Sequence, residues 1–121
     1  MTTLRLRILF TGAMLGPGKA ELLRRIKATG SIAAAGRQME MSYKRAWMLV
    51  EEMNAAFQEP LVTSTRGGPG GGGAHLTEAG LRVLDLYHGI VETAQTAALS
   101  QIQALEGMLR PMTGPDISEG K

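Results

Sequence analysis

No cysteine occurs in the 121 residues, which excludes disulfides, thiolate metal ligands and a cysteine nucleophile together. Histidine is almost as scarce. His75 and His88 stand in unrelated contexts, neither with a second ligand at metal spacing, so no zinc site is expected. The aromatics are one Trp, two Tyr and two Phe against eight Met, which points to an adaptable, mostly aliphatic core. Long apolar runs are missing as well: Arg5 and Arg7 interrupt the N-terminal segment, so neither a signal peptide nor a membrane span is expected, and the chain reads as cytoplasmic. Adjacent Glu51 and Glu52 point in different directions on a helix, and no Ser/His/Asp set converges. No enzyme and no cofactor are expected.

What charge there is lies unevenly. Residues 1–66 carry ten Lys or Arg against five Asp or Glu, and residues 67–121 carry three against six. The first part is therefore basic, which suits an anionic partner such as a nucleic acid.

The organising stretch runs from Ser31 to Phe57. A short alanine-rich helix is expected over Ile32–Met39, with Ser31 as its N-cap, and a longer one follows the N-cap Ser42 after a tight turn. Ala34 and Ala35 are small enough to let the two cross closely. Ala46, Val50, Met53 and Phe57 recur at steps of four, three and four, which gives the second helix one buried face. Two helices joined in this way form a helix-turn-helix, whose second helix can enter the DNA major groove. Tyr43, Lys44 and Arg45 crowd its first turn, the end that meets base edges. Cations there oppose the helix dipole, and an external phosphate would compensate them. A helical hairpin with a solvated basic end is the plainer alternative.

Upstream, Leu4–Phe10 alternates apolar and basic residues as a short edge strand does. Its basic face can touch DNA or simply discourage edge-to-edge aggregation. Gly12, Gly16, Pro17 and Gly18 mark a loop before a helix over Lys19–Thr29, which Gly30 ends, with Leu22, Leu23 and Ile26 as its apolar stripe. Gly18-Lys19 superficially resembles a phosphate-binding loop. Ala13 stands where that motif needs its first Gly, and Ala20 where it needs Ser or Thr, so nucleotide hydrolysis is not expected.

Downstream, Glu59-Pro60 breaks the second motif helix and Leu61–Thr65 reads as a strand. A glycine loop follows, then His75-Leu76 as a short returning strand. Such a hairpin beside a helix-turn-helix is a wing. Gly68 and Gly70 leave backbone N–H groups uncovered, so the loop can lie against a phosphate chain, and Arg66 at its base can reach a phosphate or the minor groove. Gly68, Gly70 and Gly73 also fit a dinucleotide fingerprint, but no βαβ unit surrounds them. A flexible linker is the stronger rival; the apolar strand on each side favours the hairpin.

Thr77 can cap a last helix. Along it Leu84, Tyr87, Val91, Ala94, Ala98, Ile102, Leu105 and Leu109 make a seam near a 3.5-residue repeat. Sustained over about 25 residues, it implies a helix ~40 Å long that a second copy would cover, so a homodimer is expected. Gly89 and Gly107 each weaken that helix by roughly 1 kcal/mol relative to alanine. The divisions expected are a winged helix-turn-helix over 1–76, a dimerisation helix over 77–110 and a disordered tail over 111–121. The fold class is α+β, mainly helical.

Gly30-Ser31-Ile32, Met41-Ser42-Tyr43-Lys44-Arg45-Ala46-Trp47, Glu52-Met53-Asn54 and the glycine loop through Ala74 with Leu76-Thr77 and Gly80 occur together in order. Across about Leu4 to Ile102 this pattern resembles the N-terminal DNA-binding domain of the molybdate-responsive transcriptional regulator family, usually called ModE. The resemblance implies a dimeric winged helix-turn-helix on a twofold operator, with the helix after Ser42 reading and the glycine hairpin as wing. Three departures matter. The family's regulators usually carry C-terminal molybdate-binding modules, which this chain ends before, so direct molybdate binding is not carried over. Pro69 stands at a wing position often basic in the family, leaving Arg66 to compensate. Glu40 stands at a turn position commonly glycine, where a left-handed conformation costs a non-glycine residue about 1–2 kcal/mol.

The expected partners are double-stranded DNA and a second copy of the chain, with transcription regulation as the function. Lys44 and Arg45 are expected in the groove, Arg45 as the better match to a guanine edge. Ser42 and Tyr43 are expected on phosphates or the first bases, Arg37 and Arg66 positioning the duplex, and Met48 against a thymine methyl or simply exposed. Trp47 is expected to anchor the reading helix in the core. The rival function is a protein-interaction module on the same scaffold.

Overall fold

A computed structural model describes residues 2–65 and 73–111. The order is strand β1 (Ile8–Phe10), strand β2 (Ala13–Leu15), helices α1 (Pro17–Thr29), α2 (Ile32–Gln38) and α3 (Tyr43–Ala56), strands β3 (Val62–Thr65) and β4 (Gly73–Leu76), then helices α4 (Glu78–Ala97) and α5 (Leu99–Met108). The described chain divides into a unit ending at Val91 and a second beginning at Glu92.

The first unit is built on α1, α2 and α3. Leu22, Leu23 and Ile26 of α1 are fully buried with Ala35, Ala46, Val50 and Met53, and Leu61 and Tyr87 close the same core. Phe57, expected on the buried face, packs half-buried against this core, while Leu49 is buried in addition. α1 begins two residues earlier than expected because Pro17 occupies its first turn, where the missing N–H costs nothing. Gly30 ends it in the left-handed region at φ 73°.

The N-terminal segment differs from expectation. Only Ile8–Phe10 of the alternating stretch forms a strand. It pairs antiparallel with β2, Phe10 opposite Ala13, across a two-residue turn that Gly12 makes possible at φ +83°. Residues 13–15, expected as loop, were illegible as a strand because a three-residue run has no period to read. The wing strands pair as expected, Val62 opposite Leu76 through Thr65 opposite Gly73.

The long seam needs correction. Leu84 and Tyr87 are buried in the first unit's own core, and the Tyr87 hydroxyl donates to the Leu6 carbonyl at 2.5 Å. The chain's own core therefore covers both, where a second copy was expected to. The helix is also not continuous: Ala98, at φ −98° and ψ 10°, separates α4 from α5. In the second unit α5 buries no residue, and Leu99, Leu105 and Met108 are exposed. Among the described residues no helix is long and apolar enough to cross a membrane.

Candidate nucleic-acid interface

Two serines and one strained glutamate set the angle between α2 and α3. Ser31 Oγ accepts the Ala34 N–H at 3.0 Å, and Ser42 Oγ accepts the Arg45 N–H at 3.0 Å, so each helix starts on the cap expected for it. Between them, Met41 N–H donates to the Gly36 carbonyl and Glu40 N–H to the Arg37 carbonyl, both at 3.0 Å. This is a Schellman ending, and it places Glu40 at φ 59°, the only non-glycine residue with positive φ among those described. The turn thus makes the conformational demand expected at Glu40. Ala35 is fully buried, and Gly36 beside it also makes room for α3: a Cβ on Gly36 would lie 3.0 Å from the Ala46 Cβ.

At about 100° per residue, burial of Ala46, Leu49, Val50 and Met53 fixes which way α3 faces. Lys44 and Met48 then form its outward crest, Tyr43 and Trp47 one flank, and Arg45 the other. All five are exposed, as are Ser42 and, on α2, Arg37. Lys44 and Arg45 are not in any ion pair among the described residues. The basic tip expected in the groove is therefore open to a partner.

Trp47 overturns its expectation. It is not a core anchor: it is 37% exposed and, with Tyr43 at 58%, lines a concavity of about 270 Å³ against Ser31, Ser64 and Thr65. The buried stripe of α3 runs through Ala46, Leu49, Val50 and Met53, which leaves position 47 outside it. Trp47 is thus a surface residue between α3 and the wing strands. Its place between the caps and the wing is the signal that sequence reasoning passed over.

The wing strands are fastened to α3 by one side chain. Asn54 Oδ1 accepts the N–H groups of Leu61 and Val62 at 2.8 and 3.1 Å, and its Nδ2 donates to the Val62 carbonyl at 3.0 Å. On the other side Thr77 N–H donates to the Leu61 carbonyl at 2.9 Å, and the Thr77 hydroxyl donates to Pro60 and caps α4 by accepting the Gly80 N–H. Ala74 N–H reaches the Gly30 carbonyl at 2.9 Å, which joins β4 to the end of α1. Arg66, Gly68 and Gly70 lie outside the described residues.

Electrostatics away from this face are self-contained. Glu21 accepts from Arg24 and Arg25, and Arg25 also donates to Gln38 at 3.1 Å, linking α1 to α2. These guanidiniums, Arg24 foremost, hold the Glu21 carboxyl at about 2, below its usual range. Lys19, whose side chain is only 13% exposed, donates to the Met14 carbonyl at 3.1 Å and pairs with Glu52 at 3.3 Å. Among the described residues no cluster of His, Cys, Asp or Glu is arranged to hold a metal.

Comparison with known proteins adds to this geometry. Residues 18–81 match the family described as bacterial regulatory helix-turn-helix protein, lysR family. The chain is 43% identical over 93 residues to the molybdenum-pterin-binding protein MopB of Rhodobacter capsulatus, covering 77% of this chain and 34% of that protein. It is 42% identical over 87 residues to the transcriptional regulator ModE of Yersinia pestis, 72% of this chain and 33% of the other. Against the DNA-binding transcriptional dual regulator ModE of Escherichia coli K12 it is 40% identical over 81 residues, 67% and 31% of the two. The chain thus spans about a third of the length of the curated relatives it matches.

Proposed function

The chain belongs to the lysR family of bacterial regulatory helix-turn-helix proteins and carries the DNA-binding module of a ModE-like transcription regulator, and we propose that it acts in the cytoplasm as a homodimer on a twofold-symmetric operator. The observation that carries this reading is the exposed, unpaired cationic tip of α3, standing beside a two-stranded wing on a capped helix-turn-helix.

Lys44 and Met48 enter the major groove from the crest of α3, and Arg45 follows along one flank to a base edge. Ser42 and Tyr43 meet the backbone at the helix start, and Arg37 positions the duplex from α2. Arg66, Gly68 and Gly70 supply the wing contacts. Self-association runs through apolar side chains that the chain itself covers only in part or not at all, with Val91, Ala94, Ala98, Ile102 and Leu105 retained from the expected seam. Of these only Leu105 is exposed, the other four being half-buried, and the exposed Leu86, Ile90 and Leu99 join them. The role is regulatory rather than catalytic. The molybdenum-pterin binding in the name of MopB belongs to a protein of which the matched residues make up 34%.

Selection of bound duplexes from a random pool tests this reading. The expected outcome is an inverted repeat whose half-sites lie about 10–10.5 base pairs apart, or a multiple of that. Recovery of no common sequence, with a monomeric protein at micromolar concentration, would contradict it.

A further inference from the structure

A second concavity, of about 390 Å³, lies on the flank of α3 opposite Tyr43 and Trp47. Arg5, Arg7, Lys19 and Arg45 line it over Gly16 and Leu49, and no carboxylate is among its lining residues. Lys19 is already matched by Glu52 at 3.3 Å. Arg5, Arg7 and Arg45 have no ion pair among the described residues, so three guanidiniums share one hollow without a counter-charge.

The arginines of the N-terminal segment are held in place. Exposure alternates along it, with Arg5 and Arg7 outside and Leu6 and Ile8 half-buried, so the two share a side. The Tyr87 hydroxyl fixes the segment through the Leu6 carbonyl, and the Arg7 stem lies across the start of α1. A Cβ on Gly16 would sit 3.3 Å from Arg7 Cγ, so glycine there is what lets the stem pack so closely. Like charges gathered and anchored beside a reading helix repel one another unless an anion is brought to them. A guanidinium is the side chain whose paired N–H donors match a phosphate.

We propose that Arg5 and Arg7 seat a phosphodiester of the bound duplex beside Arg45, on the side of α3 away from the wing. The backbone would then be gripped on both sides of the inserted helix. This deepens the DNA-binding reading and rests on it.

The test compares wild type with an R5Q/R7Q variant, which keeps part of each stem, on selected and scrambled duplexes over a range of salt. Each phosphate neutralised contributes a slope of about −0.9 in log K against log salt, so loss of this one contact is expected to flatten the slope by about 1. The loss of affinity should be equal on both duplexes, and R5K/R7K should recover most of the slope. An R82A/R110A variant removes the same charge elsewhere and should leave the slope within about 0.5 of wild type. An unchanged slope in R5Q/R7Q, or a loss confined to the selected duplex, overturns the proposal while leaving wild-type binding intact. A wild type that binds no duplex at low salt refutes instead the reading on which it rests. Thermal melting within a few degrees of wild type confirms that the variant is folded, and a melted R5Q/R7Q would be replaced by the single R5Q.

Discussion

Asn54 bonds both backbone polar groups of Val62: its Oδ1 accepts the Val62 N–H at 3.1 Å while its Nδ2 donates to the Val62 carbonyl at 3.0 Å. The side-chain amide thereby stands in for a neighbouring strand, and it ties the reading helix directly to the wing.

Asn54→Ala should therefore be among the costlier single changes. It leaves the N–H groups of buried Leu61 and Val62 without their partner, and unsatisfied buried donors cost about 1–3 kcal/mol each. A destabilisation of about 2–4 kcal/mol in urea unfolding is expected. Asn54→Asp, which keeps the acceptor and removes one donor, should cost less. Equal effects for the two would mean that the acceptor role has been misassigned.

Replacing Glu40 by glycine should stabilise the protein. A left-handed residue with a Cβ is strained by about 1–2 kcal/mol, partly offset by the greater freedom of glycine in the unfolded chain, so a net gain of about 0.5–1 kcal/mol is expected. The opposite case is Gly80, where a Cβ would lie 2.2 Å from the Leu61 carbonyl oxygen. Gly80→Ala should cost about 3 kcal/mol or prevent folding, since backbone rather than a flexible side chain blocks it. Melting of both variants checks the pair, and a neutral Gly80→Ala would show that α4 can move away from Leu61.

Acid sensitivity should trace in part to Glu21. Its carboxyl is depressed from 4.5 to about 2 by Arg24 and Arg25. A depressed carboxylate contributes stability that is present above its unfolded value and disappears as pH falls through its folded one, here from about 4.5 down to about 2. The pairs are partly exposed, so the contribution is less than about 1 kcal/mol. Glu21→Gln should lower stability slightly at neutral pH and reduce its fall over that window. An unchanged acid limb would remove Glu21 from the account.

Trp47 is the only tryptophan, which makes it a reporter. Lying partly exposed between α3 and the wing strands, it should change its emission when duplex is added, and Trp47→Phe should leave the fold intact. An emission that does not respond to saturating duplex would put this face away from the DNA.

Most of the helical frame was legible from the sequence. Ser31, Ser42 and Thr77 announce three helix starts, and each side chain accepts the bond expected of a cap. The stripe of Leu22, Leu23 and Ile26 could be read because an amphipathic helix repeats its pattern for several turns. Three features could not be read. The β2 strand is too short to carry a period. Leu84 and Tyr87 follow the same seam as Val91, and their spacing cannot say whether the chain's own core or another copy covers them. The environment of Trp47 depends on where the wing strands pack, which Asn54 of α3 and Thr77 beyond the wing fix together through Leu61 and Val62.

The central claim is that the exposed tip of α3 reads base sequence. It is tested most directly by titrating wild type and a Lys44→Ala/Arg45→Ala variant with selected and scrambled duplexes at matched salt. Each side chain removed from a base edge should cost about 1–3 kcal/mol on the selected duplex, so the ratio between duplexes should fall at least about tenfold. A variant that binds both duplexes more weakly but keeps the wild-type ratio would contradict the claim.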